Sequence, residues 1–552
     1  MPAVELLASE AQGAKWLPLI REVKITGAYV QTELGHGSDV QALQTTATFD
    51  GASQEFVFHT PSTGAIKFWP GGLGKSATHC VLYARLLSQG RDHGVHAFLV
   101  QIRDMQTHKP LPGIEVGDCG PKIAFQAADN GYLKLTHFRQ GRDSLLSRYV
   151  QISQDGALTV DENATKLVYG GMLNLRIDIY FSAHYYLARM ATIATRYSHL
   201  RRQFEGPKKG QEVQVIEYQM QQVKVMPALS AAWVHLVTAN RLQALYAEYQ
   251  ALMKAANRDK AFALLSDIHC AVAGLKALGT WQGEHFGELL KQSCGGHGFL
   301  QISGLTRPHV DFGIGFVTAE GDNHVLMQQT AQILVKRVES GALDINKMSV
   351  ELSALMTHED LLLYLYEMRF KGELRSALER VRHLKASTKL DFKAEIWNDH
   401  CQVSLVNAAK YWTQHFVLST FRAYQPPASL APLFTSFLHS YGGYFLQEET
   451  QSFLENMRET EQDIFLSNGR LDGLLDKARE SFQVIAKQSL QIVEAFDFED
   501  AELLSVLGKK GFNDSDEMYS EILRVVRLNP LNKVVVPKGF NKYMRPMLLA
   551  KL

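Results

Sequence analysis

Between Tyr149 and Leu167 the sequence changes its hydrophobic period, and this change limits the possible folds more than any other feature. From Ile25 to about Tyr149 the apolar residues come in short runs, Phe56-Val57-Phe58, Val81-Leu82-Tyr83 and His96-Ala97-Phe98-Leu99-Val100, separated by Gly, Pro, Asn and Asp. Runs of this length with this punctuation predict the strands of a compact β-barrel or sandwich. After Leu167 the spacing becomes helical. Leu229, Trp233, Leu236 and Val237 stand at i, i+4, i+7 and i+8, and Leu471, Leu474, Leu475, Ala478, Phe482 and Ile485 mark a second buried stripe. Residues 1 to 21 read as one amphipathic helix, with Leu6, Leu7, Ala11, Ala14 and Leu17 roughly on one side. The expected fold class is α+β: a small central β-barrel or sandwich followed by two mainly α-helical domains. A chain of 552 residues is too long for one core, so two to four domains are expected. With a break near Ser340 to Ser349, the divisions fall at 1–21, 22–150, 151–345 and 346–552.

Charge and composition exclude several classes of function. Lys plus Arg equals Asp plus Glu at 57 each, so the whole chain has no basic surplus for nucleic acid or anionic lipid. The sequence lacks an apolar run of about 18 residues or more and the residue order of a signal peptide, so a soluble, unexported protein with no membrane span is expected. Cys80, Cys119, Cys270, Cys294 and Cys401 are scattered without metal spacing, and no metal is expected. Gly71 to Ser76 ends in Gly-Lys-Ser, yet position 69, where a phosphate loop needs glycine, is Trp. Asp311-Phe312-Gly313 has no kinase catalytic loop before it, and neither G-x-G-x-x-G nor H-E-x-x-H occurs.

One loop suits a flat, polar-edged ligand. Gln31-Thr32-Glu33-Leu34-Gly35-His36-Gly37-Ser38 sets hydroxyl and carboxylate groups beside glycines that admit a ligand close to the backbone. Lys67-Phe68-Trp69-Pro70-Gly71-Gly72-Leu73-Gly74-Lys75 follows. With these two loops in this order, the sequence resembles the acyl-CoA oxidase family, flavoproteins related to the acyl-CoA dehydrogenases. The resemblance continues through His108 to Ile114, Asp129 to Leu133 and the final region, where Leu504 to Gly508, Asn529 to Lys533 and Phe540 to Tyr543 resemble the extra C-terminal helical domain of the oxidases. It covers nearly the whole chain from Glu22. Full-length members begin with a helical domain ahead of the flavin loops, and residues 1–21 would be its last helix. A chain without that wall is expected to bind FAD weakly and to turn over slowly.

The resemblance implies an FAD cofactor and assigns residues to it. Thr32 and Gly71 would hold the isoalloxazine ring, and Ser38 would contact substrate. Arg201, in Arg201-Arg202-Gln203-Phe204, would meet the flavin pyrophosphate as a planar fork, with Gln203 and Gln219 beside it. Gly295 and Gly296, in Cys294 to Phe299, would let a neighbouring subunit's flavin approach, which implies a homodimer. From the residues alone, these last two stretches also read as a solvated basic loop and a helix C-cap. Glu320, in Phe316-Val317-Thr318-Ala319-Glu320-Gly321-Asp322-Asn323-His324, is the implied base that takes the α-proton of a thioester. Without the resemblance it reads as an exposed acid near a helix start. Burial beside an acyl chain is expected to raise its pKa.

The implied reaction converts a fatty acyl-CoA to the trans-2-enoyl-CoA, with molecular oxygen reduced to hydrogen peroxide. The chain ends Ala550-Lys551-Leu552, close to the S-K-L address of the peroxisomal import receptor. Two other readings are an acyl-CoA dehydrogenase using an electron-transfer flavoprotein and a truncated, non-catalytic acyl-CoA-binding or dimer-partner protein.

Overall fold

A computed structural model describes residues 2–161, 164–255, 257–351 and 357–550 and, within them, side chains other than those of 164–172, 307 and 310–312. The chain forms two compact units. One gathers Met1–Asp178, Ala244–Val272 and Thr318–Leu326; the other gathers Ile179–Gln243, Ala273–Val317 and Met327–Leu552.

The first unit is built on the predicted strands. β1 (Gly27–Val30), β2 (Thr46–Asp50), β3 (Glu55–His59), β4 (Lys67–Phe68), β5 (His79–Ser88), β6 (Arg91–Gln101), β7 (Ile114–Asp118), β8 (Gly131–Leu135) and β9 (Phe138–Gly141) form two sheets. The larger sheet runs β1-β5-β2-β3-β9, with β6 paired to β5. β1 and β2 both lie parallel to β5, along His79–Leu82 and Arg85–Leu87 respectively. The smaller sheet is β4-β8-β7. The alternating residues of the strands enclose Phe56, Phe58, Leu82, Phe98, Val100 and Leu133, and Phe98 meets Phe56 and Phe58 edge-on at 5.0 and 5.2 Å.

The single helix expected over residues 1–21 is corrected to two, α1 (Pro2–Leu7) and α2 (Glu10–Arg21). The break is a capping box: Gln12 N donates to Ser9 Oγ at 3.3 Å, and Ser9 N donates to Gln12 Oε1 at 3.0 Å. Val4, Leu7 and Ala8 are buried against Val81, Tyr83, Ala97 and Leu99, whereas Ala11 and Ala14 are exposed. Gln12 also donates to the carbonyl of Leu145, which ties α2 to the strand region.

Three long helices follow: α3 (Ala164–Leu200), α4 (Gln219–Lys254) and α5 (Arg258–Ser293). α4 departs from the expected one-sided stripe. Leu229 and Val237 are buried as predicted, but so are Ala231, Ala232, Val234 and Thr238, because this stretch of the helix is covered on every side. α5 is long and apolar enough to cross a membrane by length and composition, yet 67% of its apolar window is buried within the protein.

In the second unit, some buried polar side chains bond one another in a chain. Tyr180 Oη meets His235 Nδ1 at 2.8 Å, His235 Nε2 meets Gln282 Oε1 at 2.7 Å, and Tyr441 donates to the same oxygen at 2.9 Å. The break near 340–349 separates the helix Asn323–Glu339 from His358–Ser387. Arg369 of the latter is fully buried, with its guanidinium 3.8 Å from the Phe453 ring and 4.1 Å from that of Tyr411, and its Nη1 donates to Glu449 at 2.7 Å. Leu471, Leu474, Ala478, Phe482 and Ile485 form the predicted buried stripe of Arg470–Glu494, and Leu475 is half-buried.

Candidate active site

The two glycine-containing loops of the first unit are brought together by backbone pairing. Leu34 N donates to Ile66 O, Gly35 N to Gly64 O and Phe68 N to Thr32 O, while Glu33 and Lys67 form an antiparallel bridge. β4, paired with the Thr32 loop, therefore leads directly into Trp69-Pro70-Gly71. Trp69 adopts φ +90 and is 56% exposed, an unusual backbone state for a large side chain, worth about 1 to 3 kcal/mol. Its neighbours hold it there. Trp69 N donates to Gly131 O, Asn130 Nδ2 to Trp69 O and Gly131 N to Pro70 O.

The rest of this loop is fixed from beneath. Asp129 Oδ2 accepts from Lys75 N at 2.9 Å, Ser76 N at 2.8 Å and Ser76 Oγ at 2.8 Å. Buried Arg103 donates to the carbonyls of Ala77, Leu73 and Gly74. At Gly131 a Cβ would lie 2.3 Å from Gly74 N, so the two backbones meet where no side chain fits. Gly71 differs, because nothing lies within 4 Å of where its Cβ would be. The loop is thus rigid behind and open at Gly71, as a cradle for a planar ring requires. Thr32 is half-buried beside it, and Ser38 is exposed.

Glu320 also belongs to the first unit. It lies in a turn with φ +57, followed by Gly321 at φ +107 and the N-terminal turn of Asn323–Glu339, where Asp322 Oδ1 accepts from His324 N at 2.9 Å and Val325 N at 3.2 Å. A Cβ at Gly321 would press on Leu326 at 3.0 Å, which makes glycine the fitting residue after Glu320. The burial expected of Glu320 is burial beside a bound acyl chain; its side chain is exposed in the turn ahead of the helix, as an acid near a helix start is expected to be. It still affects its surroundings. Burial pushes the Tyr29 phenol up, neighbouring Tyr83 adds to that, and the Glu320 carboxylate raises it further. Tyr29 donates to Gln31 Oε1 at 2.9 Å, and its ring lies 5.1 Å from that of Tyr83.

The remaining predicted residues lie in the second unit. Arg201 Nη1 donates to Tyr519 Oη, and the guanidinium stands 5.4 Å from that ring. Tyr197 Oη meets His297 Nδ1 at 3.1 Å; burial holds the His297 imidazole below its ordinary pKa, and Arg201 pushes the same way. Arg201 and the Cys294–Phe299 stretch therefore form one cluster. In it Gly295 has φ +56, and nothing lies within 4 Å of a Cβ at Gly295 or Gly296. This stretch is a short helix, Gly295–Gly298, after the end of α5. Gln219 opens α4 and is exposed. Gln203 turns its amide to the carbonyl of Arg202, while Arg202 itself bonds Glu212 O at 3.1 Å.

Sequence reasoning missed the groups that support the loops. Glu33, Lys67, Arg103 and Asp129 read locally as ordinary charged residues, although the first three are buried. The only available signal was the setting of Lys67 between Ala65-Ile66 and Phe68-Trp69, an apolar run in which a charge needs a partner. Among the described residues no cluster of His, Cys, Asp or Glu is suited to a metal ion.

Two family profiles match the chain: one described as acyl-CoA oxidase, C-alpha1 domain, over residues 169–335, and one described as acyl-CoA oxidase over residues 358–549. Peroxisomal acyl-coenzyme A oxidase 1 of Arabidopsis thaliana is 36% identical over 100% of this chain and 83% of its own length. Peroxisomal acyl-coenzyme A oxidase 1 of Rattus norvegicus is 32% identical over 99% of this chain and 83% of its own. Acyl-CoA oxidase-2 of Caenorhabditis elegans, whose structure is described as bound with FAD, ascaroside-CoA and ATP, superposes with a TM-score of 0.90 at 32% identity, covering 100% of this chain and 82% of that one.

Proposed function

The chain belongs to the acyl-CoA oxidase family, and from that premise we propose that it oxidises a fatty acyl-CoA to the trans-2-enoyl-CoA in peroxisomal β-oxidation. The observation that carries this reading is the loop pair of the first unit, with Gly71 open above a backbone locked by Arg103 and Asp129. That cradle fits a flavin ring. FAD held there by Thr32 and Gly71 would supply a hydride acceptor for the β-carbon and a route for the two electrons to oxygen, which would leave as hydrogen peroxide.

The protein's own residues perform the rest. The Glu320 carboxylate takes the α-proton, and the left-handed turn sets its direction. A thioester carbonyl bound at the backbone N–H of Glu320 has its developing enolate charge stabilised as the proton leaves. Thr32 and Gly71 hold the ring edge, and Ser38 contacts the substrate. Arg201, Gln203, Gln219, Gly295 and Gly296 hold the diphosphate end of a partner subunit's cofactor in a homodimer. Arg201 supplies charge, and the two glycines supply bare backbone. In this reading residues 1–21, 22–150, 151–345 and 346–552 are a helical lead-in, the flavin-loop domain, the domain of the base and the dimer contacts, and the oxidase-specific C-terminal domain.

Ala550-Lys551-Leu552 is the proposed address for the peroxisomal import receptor; Lys551 and Leu552 lie outside the described residues. The test of function is the purified chain with saturating FAD and a panel of saturated acyl-CoAs under air. Peroxide equal to enoyl-CoA formed is the expected result. Enoyl-CoA that appears only with an electron-transfer flavoprotein would mark a dehydrogenase, and no flavin absorbance would overturn the reading of the site.

A further inference from the structure

Behind the proposed flavin loops lies a charged pair with no accessible surface. The side chains of Glu33 and Lys67 are both 0% exposed, and Lys67 Nζ donates to Glu33 Oε1 at 3.1 Å and to Gln31 O at 2.8 Å. The same Glu33 oxygen accepts from Thr45 N at 2.9 Å and Thr45 Oγ1 at 2.7 Å. Its other oxygen accepts from Gln44 N at 2.9 Å and stands 3.1 Å from His36 Nδ1. One carboxylate thus ties together the Thr32 loop, the start of β2 and β4.

Energetics make this an odd way merely to hold a fold together. Desolvating two charges is costly, and an apolar pair of similar volume often does as well or better, so the advantage of this buried pair is sought in the defined geometry it imposes. The location supplies that need. Glu33 follows Thr32 directly, Lys67 comes just before Trp69-Pro70-Gly71, and Lys67 grips the carbonyl next to Thr32. A carboxylate with partners at both oxygens also resists rotation more than any apolar contact would.

We infer that Glu33 and Lys67 are the positioning pair of the flavin face: their contact sets the spacing of Thr32 from Gly71, and FAD affinity depends on it. This rests on the reading of Thr32 and Gly71 as flavin contacts. Neither residue touches the flavin in this account; both act through the backbone they hold.

The test compares the full chain with its Glu33→Gln, Lys67→Met, Glu33→Gln/Lys67→Met, Glu33→Asp and Lys67→Arg variants. It reads FAD dissociation constants from flavin fluorescence, urea midpoints of the FAD-free proteins, and kcat and KM for acyl-CoA at saturating FAD. Each neutralised single variant is expected to weaken FAD at least about ten-fold, and the double variant no more than the worse single, because it leaves no unpaired buried charge. The charge-keeping variants are expected to fold and to lose less, with kcat falling more than KM rises. FAD affinities within about two-fold of wild type, with lowered urea midpoints, would leave the pair a purely structural role and overturn the inference. If the neutralised variants do not fold, unchanged FAD affinity in Glu33→Asp and Lys67→Arg overturns it equally. A wild-type chain that binds no FAD would instead overturn the reading of the site on which the inference rests.

Discussion

The Gly71 loop and the Gly295–Gly296 stretch both offer bare backbone, but they are held in opposite ways. Behind Gly71 stand buried Arg103, Glu33 and Lys67, each bonded to loop backbone or to the other, and Asp129 gathers three donors. Around Gly295 the supports are aromatic rings and one guanidinium, of which Tyr197 is buried while His297, Tyr519 and Arg201 are half-buried. A site whose anchors are buried within its own unit is shaped before any ligand arrives. A site whose half-buried cation rests against an aromatic ring can turn that cation towards an anion at little cost. The first arrangement suits a ring that must be aligned for chemistry, and the second suits a diphosphate that has only to be gripped.

The contrast can be broken at several points. The largest expected effect is at the base: Glu320→Gln should keep FAD bound and lower turnover about 100 to 10,000-fold, read as peroxide release per folded subunit. Unchanged turnover would remove the chemistry from the first unit. Next, Arg103→Leu leaves three carbonyls of the Gly71 loop without their donor, and a loss of about 2 to 4 kcal/mol in urea unfolding is expected, together with weakened FAD binding. A loss below about 0.5 kcal/mol would mean that the loop does not need support from beneath.

At the Arg201 cluster the pattern should reverse. Arg201→Ala is expected to weaken FAD about ten-fold while leaving the urea midpoint nearly unchanged, whereas Arg202→Ala should weaken FAD by less than about three-fold. Equal losses would reduce the stretch to a basic patch. The smallest effect is one of pH. Burial pushes the Glu33 carboxyl up, but Lys67, Thr45 and Gln44 outweigh it and hold the pKa below the ordinary 4.5. Its contribution is therefore complete above pH 4.5 and lost as the pH falls through the lower folded value. Burial lowers the Lys67 pKa to about 8 against the pull of Glu33, so between there and 10.5 the folded protein binds fewer protons at this site than the unfolded chain. Stability does not fall on that account as pH rises. The difference in melting temperature between wild type and Glu33→Gln should be flat from pH 7 to 5 and shrink below 4.5; a difference that stays unchanged as the pH falls to 2 would show that the Glu33 charge does not contribute.

These regions also differed in how far they could be read in advance. Phe56 to Phe58 and His96 to Val100 announced strands because every second side chain faces one core, whereas the residue types of the glycine loops read more readily as plain turns and suggested a ligand only through the family resemblance. Glu33 and Lys67 meet across 34 residues, and nothing local marks such a partnership. The break between α1 and α2 was hidden for a different reason: Ser9 and Gln12 cap a helix inside a stretch whose apolar spacing suits one continuous helix. The exposure of Glu320 was legible as that of an acid near a helix start, but its left-handed backbone at φ +57 was not, because residue type does not reveal it.

Glycine-rich segments are usually taken to be the parts of a protein that move. Residues 69–76 contradict that habit, since the amides of Trp69, Gly74, Lys75 and Ser76 each point to an acceptor supplied by residues 129–131. In deuterated solvent these amides should exchange on the slow timescale of the neighbouring strands, not on that of loops. The segment is then a fixed piece of relief, and any opening of the site must be sought elsewhere in the chain.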